Sequence, residues 1–189
     1  SAETPYQTTK LRAEAMIRES GLDYTIFRPS VIFGDPRGTM EFATQLYQDM
    51  VRMPMPAVGF HTGLSPAHGE VLMSPVHVRD VADAFVNALA DDSTIGQSYV
   101  LGGPEVVSWP EMIRRIAAVV GKKKLILPMP IGFMKLGATL LDWLPFFPVT
   151  RDQLTMLADG NTAEPYEVAA LIKREPAEFS PENLAYLAN

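Results

Sequence analysis

A tyrosine and a lysine near the start of the chain have the spacing of an acid–base pair. Tyr6 and Lys10 are four residues apart, so on a helix both side chains project from the same face. An ammonium group beside a phenol stabilises the phenolate, and such a tyrosine can exchange a proton with a substrate oxygen. The structural alternative is that Tyr6 packs on the surface and Lys10 pairs with Glu14, four residues further along.

The surrounding residues predict a helix followed by a buried strand. Residues 6–18 contain no Gly or Pro, Thr4-Pro5 suits a helix start, and Gly21 suits a helix end. Residues 22–27 are rich in β-formers, and Arg28-Pro29 ends the predicted strand. This helix–loop–strand order is half of a βαβ unit, which predicts an α/β fold with a parallel sheet.

Periodicity and turn residues predict the remaining elements. The predicted helices are 39–51, 79–90 and 109–120, the predicted strands are 71–78 and 98–101, and residues 59–70 are predicted to be a loop. Asp80 is predicted to cap the second of these helices, and Ser108 with Glu111 to form a capping box at the third. His61 and His68 in the loop are expected to be solvated, and no metal site is predicted.

The apolar segment 131–144 is too short to span a bilayer. Its 14 residues rise about 21 Å as a helix, against a hydrocarbon core of roughly 30 Å. We predict an amphipathic helix that packs on the core. The alternative is a peripheral contact with a membrane or a membrane-bound complex.

Composition excludes several classes of function. The 189 residues are 47% hydrophobic, which is typical of a chain with a packed core, and the net charge of −6 has the wrong sign for gripping nucleic acid. The absence of cysteine excludes disulfides, thiol nucleophiles and Cys-ligated metals. The polar first residues carry no signal-peptide core, so a cytoplasmic location is expected, with a membrane-peripheral one as the alternative.

Four segments together resemble the short-chain dehydrogenase/reductase superfamily, in its extended NAD-dependent epimerase/dehydratase branch. They are Y-Q-T-T-K-L-R-A-E at 6–14, Y-T-I-F-R-P-S-V-I-F-G at 24–34, S-P-V-H-V-R-D-V-A-D-A at 74–84 and L-G-G-P-E-V-V-S-W-P-E-M at 101–112. V-T-R-D-Q-L-T-M-L at 149–157, followed by Asn161, is most similar to the group that contains the nucleotide-binding accessory subunit of respiratory complex I.

The resemblance implies the C-terminal part of a doubly wound, Rossmann-like parallel sheet and a small, mostly helical domain. The first is expected over 1–100, with an interleaved loop at 52–70, and the second, for a substrate or partner, over 101–189. Tyr6 would be the catalytic acid/base. Lys10 would hold the nicotinamide ribose and tune Tyr6.

The same resemblance implies further contacts. Pro29, Ser30 and Val31 would line the nicotinamide pocket, and Arg37 and His77 are candidate substrate contacts. The structural alternatives are that Pro29 only ends its strand and that His77 is a buried structural histidine. For Arg28, the structural alternatives are that it caps a helix or pairs with a carboxylate.

The departures from the family pattern concern the nucleotide. The sequence contains no glycine-rich G-x-x-G-x-x-G or G-x-G-x-x-G turn, and Gly102-Gly103-Pro104 has the wrong spacing. The family's catalytic Ser or Thr, about a dozen residues before the tyrosine, has no counterpart ahead of Tyr6. The chain is therefore expected to be the C-terminal portion of a longer protein. Its N-terminal nucleotide-binding half would be the missing partner.

These expectations lead to one preferred function and two alternatives. In the preferred one, the longer protein binds NAD or NADP and acts on a small-molecule substrate as an oxidoreductase or epimerase. The chain alone is expected to be inactive, to bind no dinucleotide, and to self-associate through an unpaired sheet edge. The alternatives are a non-catalytic accessory protein of a membrane-bound respiratory complex and a nucleotide-sugar binder.

Overall fold

The computed structural model describes residues 4–63, 69–133, 157–158 and 160–188. Its strands are β1 (Ile26–Pro29), β2 (Ile32–Phe33), β3 (Ala57–His61), β4 (Leu72–Met73), β5 (Val76–His77), β6 (Ser98–Leu101), β7 (Val107–Ser108) and β8 (Ile126–Pro130). Its helices are α1 (Pro5–Glu19), α2 (Phe42–Leu46), α3 (Val78–Ala88), α4 (Trp109–Val119) and α5 (Tyr166–Ile172), with a π-helical turn at Tyr47–Arg52 and 3-10 turns at Asp92–Thr94 and Ala185–Ala188. The predicted α/β class is confirmed.

Helix α1 begins and ends as the sequence predicts. The Thr4 hydroxyl accepts from the Gln7 N–H, and the Gln7 side chain accepts from the Thr4 N–H, which satisfies two free donors of the first turn. Pro5 occupies the first turn, where its missing N–H costs nothing. Gly21 follows the C-cap with φ of +74°, a conformation that favours glycine.

The central sheet fragment pairs β1 with β6 in parallel, with helices on both faces. Phe27 lies beside Tyr99 in the register, and its ring centroid is 4.4 Å from that of Phe85 on α3. Arg28, on the other face, contacts α1. The predicted strand at 22–27 begins later, at Ile26.

Asp80 does not cap α3, contrary to the prediction. The N-cap is His77, whose Nδ1 accepts from the Arg79 N–H. Asp80 lies in the first turn and is buried, with Oδ2 accepting from the Ala177 N–H at 2.7 Å and Oδ1 lying 2.7 Å from the Arg174 guanidinium as an ion pair. It therefore fastens the C-terminal segment to α3 rather than closing the helix.

Several predicted boundaries in the second half of the fold are wrong. The loop predicted at 59–70 begins instead with β3, which pairs in parallel with β8. Gly59, Pro128 and Pro130 are residue types common in turns, so the sequence patterns did not predict β3 or β8. Proline is nevertheless tolerated on an edge strand. His61, expected to be solvated, is 3% exposed, and its Nδ1 lies 2.8 Å from the Gly63 carbonyl oxygen. His68 lies outside the described residues.

Three further predictions need correction. The predicted strand 71–78 is two strands, β4 and β5, and the predicted helix 39–51 is α2 followed by the π-helical turn. No capping box forms at Ser108, because Glu111 pairs with Arg114 and Arg115 instead.

Of the segment 131–144 only residues 131–133 are described. Within the described ranges no helix is both long and apolar enough to cross a membrane.

Four chain segments meet at the carboxyl ends of β1 and β6, at what we call the strand-end junction (residues 29–31, 74–76, 101–103 and 161–163). Ser74, fully buried, is its centre. Its N–H donates to the Asn161 carbonyl, its carbonyl accepts from the Gly103 N–H, and its hydroxyl lies 3.2 Å from the Ala163 carbonyl oxygen. Because buried polar groups are costly when unpaired, these bonds fix how the segments cross.

Replacing Gly103 by Ala is expected to break this junction. A Cβ at Gly103 would lie 1.8 Å from the Pro75 carbonyl oxygen, so the backbones would have to separate. We expect Gly103→Ala to lower the free energy of unfolding by about 3 kcal/mol or more, measured by urea denaturation. The control, Gly132→Ala, meets no atom within 4 Å and is expected to change stability by less than about 1 kcal/mol. Equal effects of the two substitutions would contradict the packing.

Candidate functional site

Tyr6 and Lys10 lie together on one face of α1. The Lys10 Nζ is 5.5 Å from the centroid of the Tyr6 ring, and the Tyr6 side chain is 56% exposed. The alternative partner, Glu14, is occupied elsewhere, since it accepts two hydrogen bonds from Arg28. The prediction that Arg28 pairs with a carboxylate is thus confirmed, and this pairing lowers the pKa of Glu14.

The Glu14–Arg28 contact sets the position of the pair relative to the sheet. It fixes Glu14 of α1 against Arg28 on β1. Tyr6 lies about two helical turns before Glu14, and the helix runs antiparallel to the strand that follows it. The Tyr6 and Lys10 end of α1 therefore lies toward the carboxyl end of β1, the edge at which parallel sheets bind ligands.

The strand-end junction holds the residues predicted to line a nicotinamide pocket. The Ser30 N–H donates to the Leu101 carbonyl, and its hydroxyl donates to the Asn161 carbonyl at 2.8 Å. The Val31 carbonyl accepts from the Val76 N–H. Pro29 is the last residue of β1 and so also ends its strand. These residues lie at the edge toward which the Tyr6 end of α1 is directed, and their contact with a nucleotide stays a prediction.

The two predicted substrate contacts are Arg37, on the turn after β2, and His77, at the end of β5 beside Gly34 of that turn. An added Cβ at Gly34, whose φ is +136°, would lie 3.2 Å from the His77 Nε2 and 2.6 Å from Val78. Arg37 is exposed, with φ of +48°, and its N–H donates to the Asp35 carboxylate. Burial lowers the pKa of His77. A structural role as helix cap is established for His77, and its contact with substrate stays a prediction.

Tyr186 contacts the same turn, and no sequence pattern predicted this contact. Its hydroxyl accepts from the Gly34 N–H at 3.2 Å and donates to Glu41, which itself caps α2. Burial and the Glu41 carboxylate raise the pKa of Tyr186, so it stays protonated. Asn161 is the other residue missed as a site neighbour. Its backbone bonds depend on a chain crossing that no local pattern reveals.

A cleft of about 360 Å³ opens at the amino end of β6, away from these residues. Its polar lining is already used by the fold: Glu167 accepts from the Val100 N–H on the outer edge of β6, and Asn87 donates to the Leu171 carbonyl. None of the predicted site residues lines it. Across the described ranges no group of three or more acidic or His side chains has the arrangement of a metal site.

Comparison with protein families decides the assignment of the chain. Residues 1–102 match the NAD dependent epimerase/dehydratase family. The chain belongs to this family. The match includes Tyr6, Lys10 and the β1 exit, as the sequence resemblance predicted.

Curated relatives of this epimerase/dehydratase chain carry different names. It is 29% identical over 154 residues to divinyl chlorophyllide a 8-vinyl-reductase of Cucumis sativus, covering 78% of this chain and 34% of the relative. It is also 29% identical over 161 residues to NADH dehydrogenase [ubiquinone] 1 alpha subcomplex subunit 9 of Arabidopsis thaliana, covering 80% and 37%. The chain thus spans about a third of the length of these relatives.

Solved structures support the Rossmann-like fold of the epimerase/dehydratase chain. A nucleoside-diphosphate-sugar epimerase from Pseudomonas aeruginosa superposes with a TM-score of 0.70 at 17% identity, covering 99% of this chain and 55% of that one. UDP-glucuronic acid 4-epimerase from Bacillus cereus, solved with UDP-glucuronic acid and NAD, gives a TM-score of 0.62 at 18% identity, with 98% and 52% covered. At these identities the likeness concerns the fold.

The half-buried His77 should make stability depend on pH. Because burial lowers its pKa, the folded state binds fewer protons than the unfolded state, so the free energy of unfolding falls as pH falls below about 6.5. His77→Asn keeps an N-cap acceptor but does not titrate. We expect a shallower loss of stability for this variant between about pH 7 and 5, measured by urea denaturation. An unchanged slope would refute the assignment.

Proposed function

We propose that this chain is the substrate-side half of an NAD(P)-dependent epimerase or oxidoreductase, with Tyr6 as its acid/base. The observation that carries the proposal is the placement of the Lys10 Nζ 5.5 Å from the centroid of the Tyr6 ring. The ammonium group places a positive charge beside the ring whose hydroxyl would exchange the proton. Tyr6 is 56% exposed, which would leave its hydroxyl accessible to a substrate.

The other site residues would position the reactants. Pro29, Ser30 and Val31 present a backbone held by the strand-end junction, and a rigid wall of this kind orients a flat ring. Arg37 lies on the turn after β2, and His77 lies at the end of β5 beside Gly34 of that turn. Both would contact the substrate. When bound, NAD or NADP would supply the hydride transfer. Tyr6 would exchange the accompanying proton with a substrate oxygen, and Lys10 would also hold the ribose.

The nucleotide half would be supplied by residues outside this sequence. Two features support this: β1 pairs with β6 alone among the described strands, and none of the residues of α1 is buried. The exposed apolar side chains of α1 include Leu11, Met16 and Ile17. A neighbouring strand and helix would cover them. Without such a cover, the same edge and face would promote self-association.

Removing the Tyr6 hydroxyl is expected to abolish turnover. In the longer protein, we expect Tyr6→Phe to lower kcat about 10²- to 10⁴-fold, the usual contribution of a general acid/base, without weakening nucleotide binding. Turnover is measured as NADH or NADPH formation or consumption with carbonyl substrates, and as conversion of the sugar to its epimer with nucleotide-sugar substrates, because epimerisation causes no net change in the cofactor. Tyr166→Phe is the matched control, because Tyr166 is 65% exposed and lies on α5. Unchanged turnover in Tyr6→Phe would remove Tyr6 from the mechanism.

The 189-residue chain alone is expected to bind dinucleotide poorly. It lacks a glycine-rich turn that would receive the pyrophosphate on backbone N–H groups. Calorimetric titration with NADH and NADPH should therefore give no saturation below about millimolar concentrations. Tight binding would show that the nucleotide site is complete within this chain.

A second candidate function is a non-catalytic one. The relatives named as subunits of NADH dehydrogenase favour it, since such a protein would use a bound nucleotide for stability and its surface for assembly in a membrane complex. The predicted contact is residues 131–144. Under this alternative, Tyr6→Phe would leave the function unchanged, whereas loss of the protein would reduce assembly of the complex.

A further inference from the structure

A group of exposed apolar side chains lies at the edge of the β3–β8 sheet. Leu125 is 65% exposed and Leu127 48% exposed, while Ile126 between them packs on the core. Since side chains alternate along a strand, both leucines face away from the protein. Met53, 51% exposed, lies next to them on the chain that leads into β3.

Basic side chains surround these apolar groups. Lys122 and Lys123 are exposed immediately after α4, and Arg52 is exposed at the end of the π-helical turn. The Lys124 Nζ joins the two segments, because it contacts the Val51 carbonyl at 3.3 Å and the Met53 carbonyl. We call this surface the basic–apolar patch, and it comprises Arg52, Met53, Lys122, Lys123, Leu125 and Leu127.

The charge of the patch is opposite in sign to the net charge of the chain. The net charge of the chain is −6, yet segments 47–58 and 119–133 carry four basic residues and one acidic residue, Asp49. Lys124 is occupied by backbone carbonyls, and the Lys122 Nζ is held 5.9 Å from the Tyr47 ring centroid. These contacts therefore hold the ammonium groups of Lys122 and Lys124 at this surface.

We infer that the basic–apolar patch docks on an anionic lipid bilayer. Lysine stems lie along apolar surface while their ammonium groups reach phosphate headgroups, and leucine and methionine enter the boundary below them. A second copy of the chain would place like charges opposite each other, which disfavours self-association here. The inference is independent of the proposed function, because it involves none of the site residues.

The test is co-sedimentation of the protein with lipid vesicles. We expect binding to vesicles that contain phosphatidylglycerol, weak binding to pure phosphatidylcholine, and loss of binding with added salt. Each basic residue near an anionic surface contributes roughly five-fold to affinity, so Lys122→Ser/Lys123→Ser should weaken binding roughly 25-fold. Leu125→Ser/Leu127→Ser should weaken it as well. All four positions are exposed, and unchanged urea midpoints would show that the variants fold.

Matched controls separate the patch from general charge and hydrophobicity. Arg12→Ser/Arg79→Ser makes the same charge change on α1 and α3. Val86→Ser/Leu89→Ser makes the same kind of apolar change at the end of α3 and its C-cap, where the two residues are 63% and 90% exposed. Both controls should bind as the wild type does. The inference is overturned if the protein does not bind anionic vesicles, even if it binds an acidic polypeptide. It is also overturned if the patch variants bind normally.

Discussion

The buried hydrogen bonds of Ser74 are the constraint on which the site depends. They tie the segment between β4 and β5 to Gly103 after β6 and to residues 161–163, and the Ser30 hydroxyl after β1 donates to the same Asn161 carbonyl. A hydroxyl and two backbone groups that are fully buried must find partners, so the crossing has a single geometry. Gly103 makes it sterically feasible, since its neighbours leave no room for a Cβ. Ser30 and the β1 exit are consequently held in place.

The contrast between this rigid junction and α1 is informative about function. The junction is buried, whereas the helix with Tyr6 and Lys10 is attached to the sheet mainly through polar contacts, Arg28 with Glu14 and Arg18 with Ser98. Such ion pairs at partly exposed positions contribute little stability. A helix attached in this way suits packing against further structure in the longer proteins of its family. This chain covers about a third to a half of the length of those proteins.

The C-terminal segment is also attached by polar contacts to distant parts of the chain. Asp80 binds it through Arg174 and Ala177, Glu167 covers the outer edge of β6, and Tyr186 reaches the turn after β2. Each contact joins residues separated by more than 60 positions in the chain. The segment thus completes both the sheet edge and the surroundings of His77, so changes in it would reach the site.

Local sequence patterns were enough to predict the capped start of α1, its glycine end, the Tyr6–Lys10 spacing and the parallel class of the sheet. Each depends on residues within a few positions of one another, where steric and capping rules act directly. Tertiary structure alone decided the rest. Asp80 became a clamp rather than a cap, and β3 and β8 formed despite turn residues, because distant segments supplied partners for buried polar groups and open strand edges.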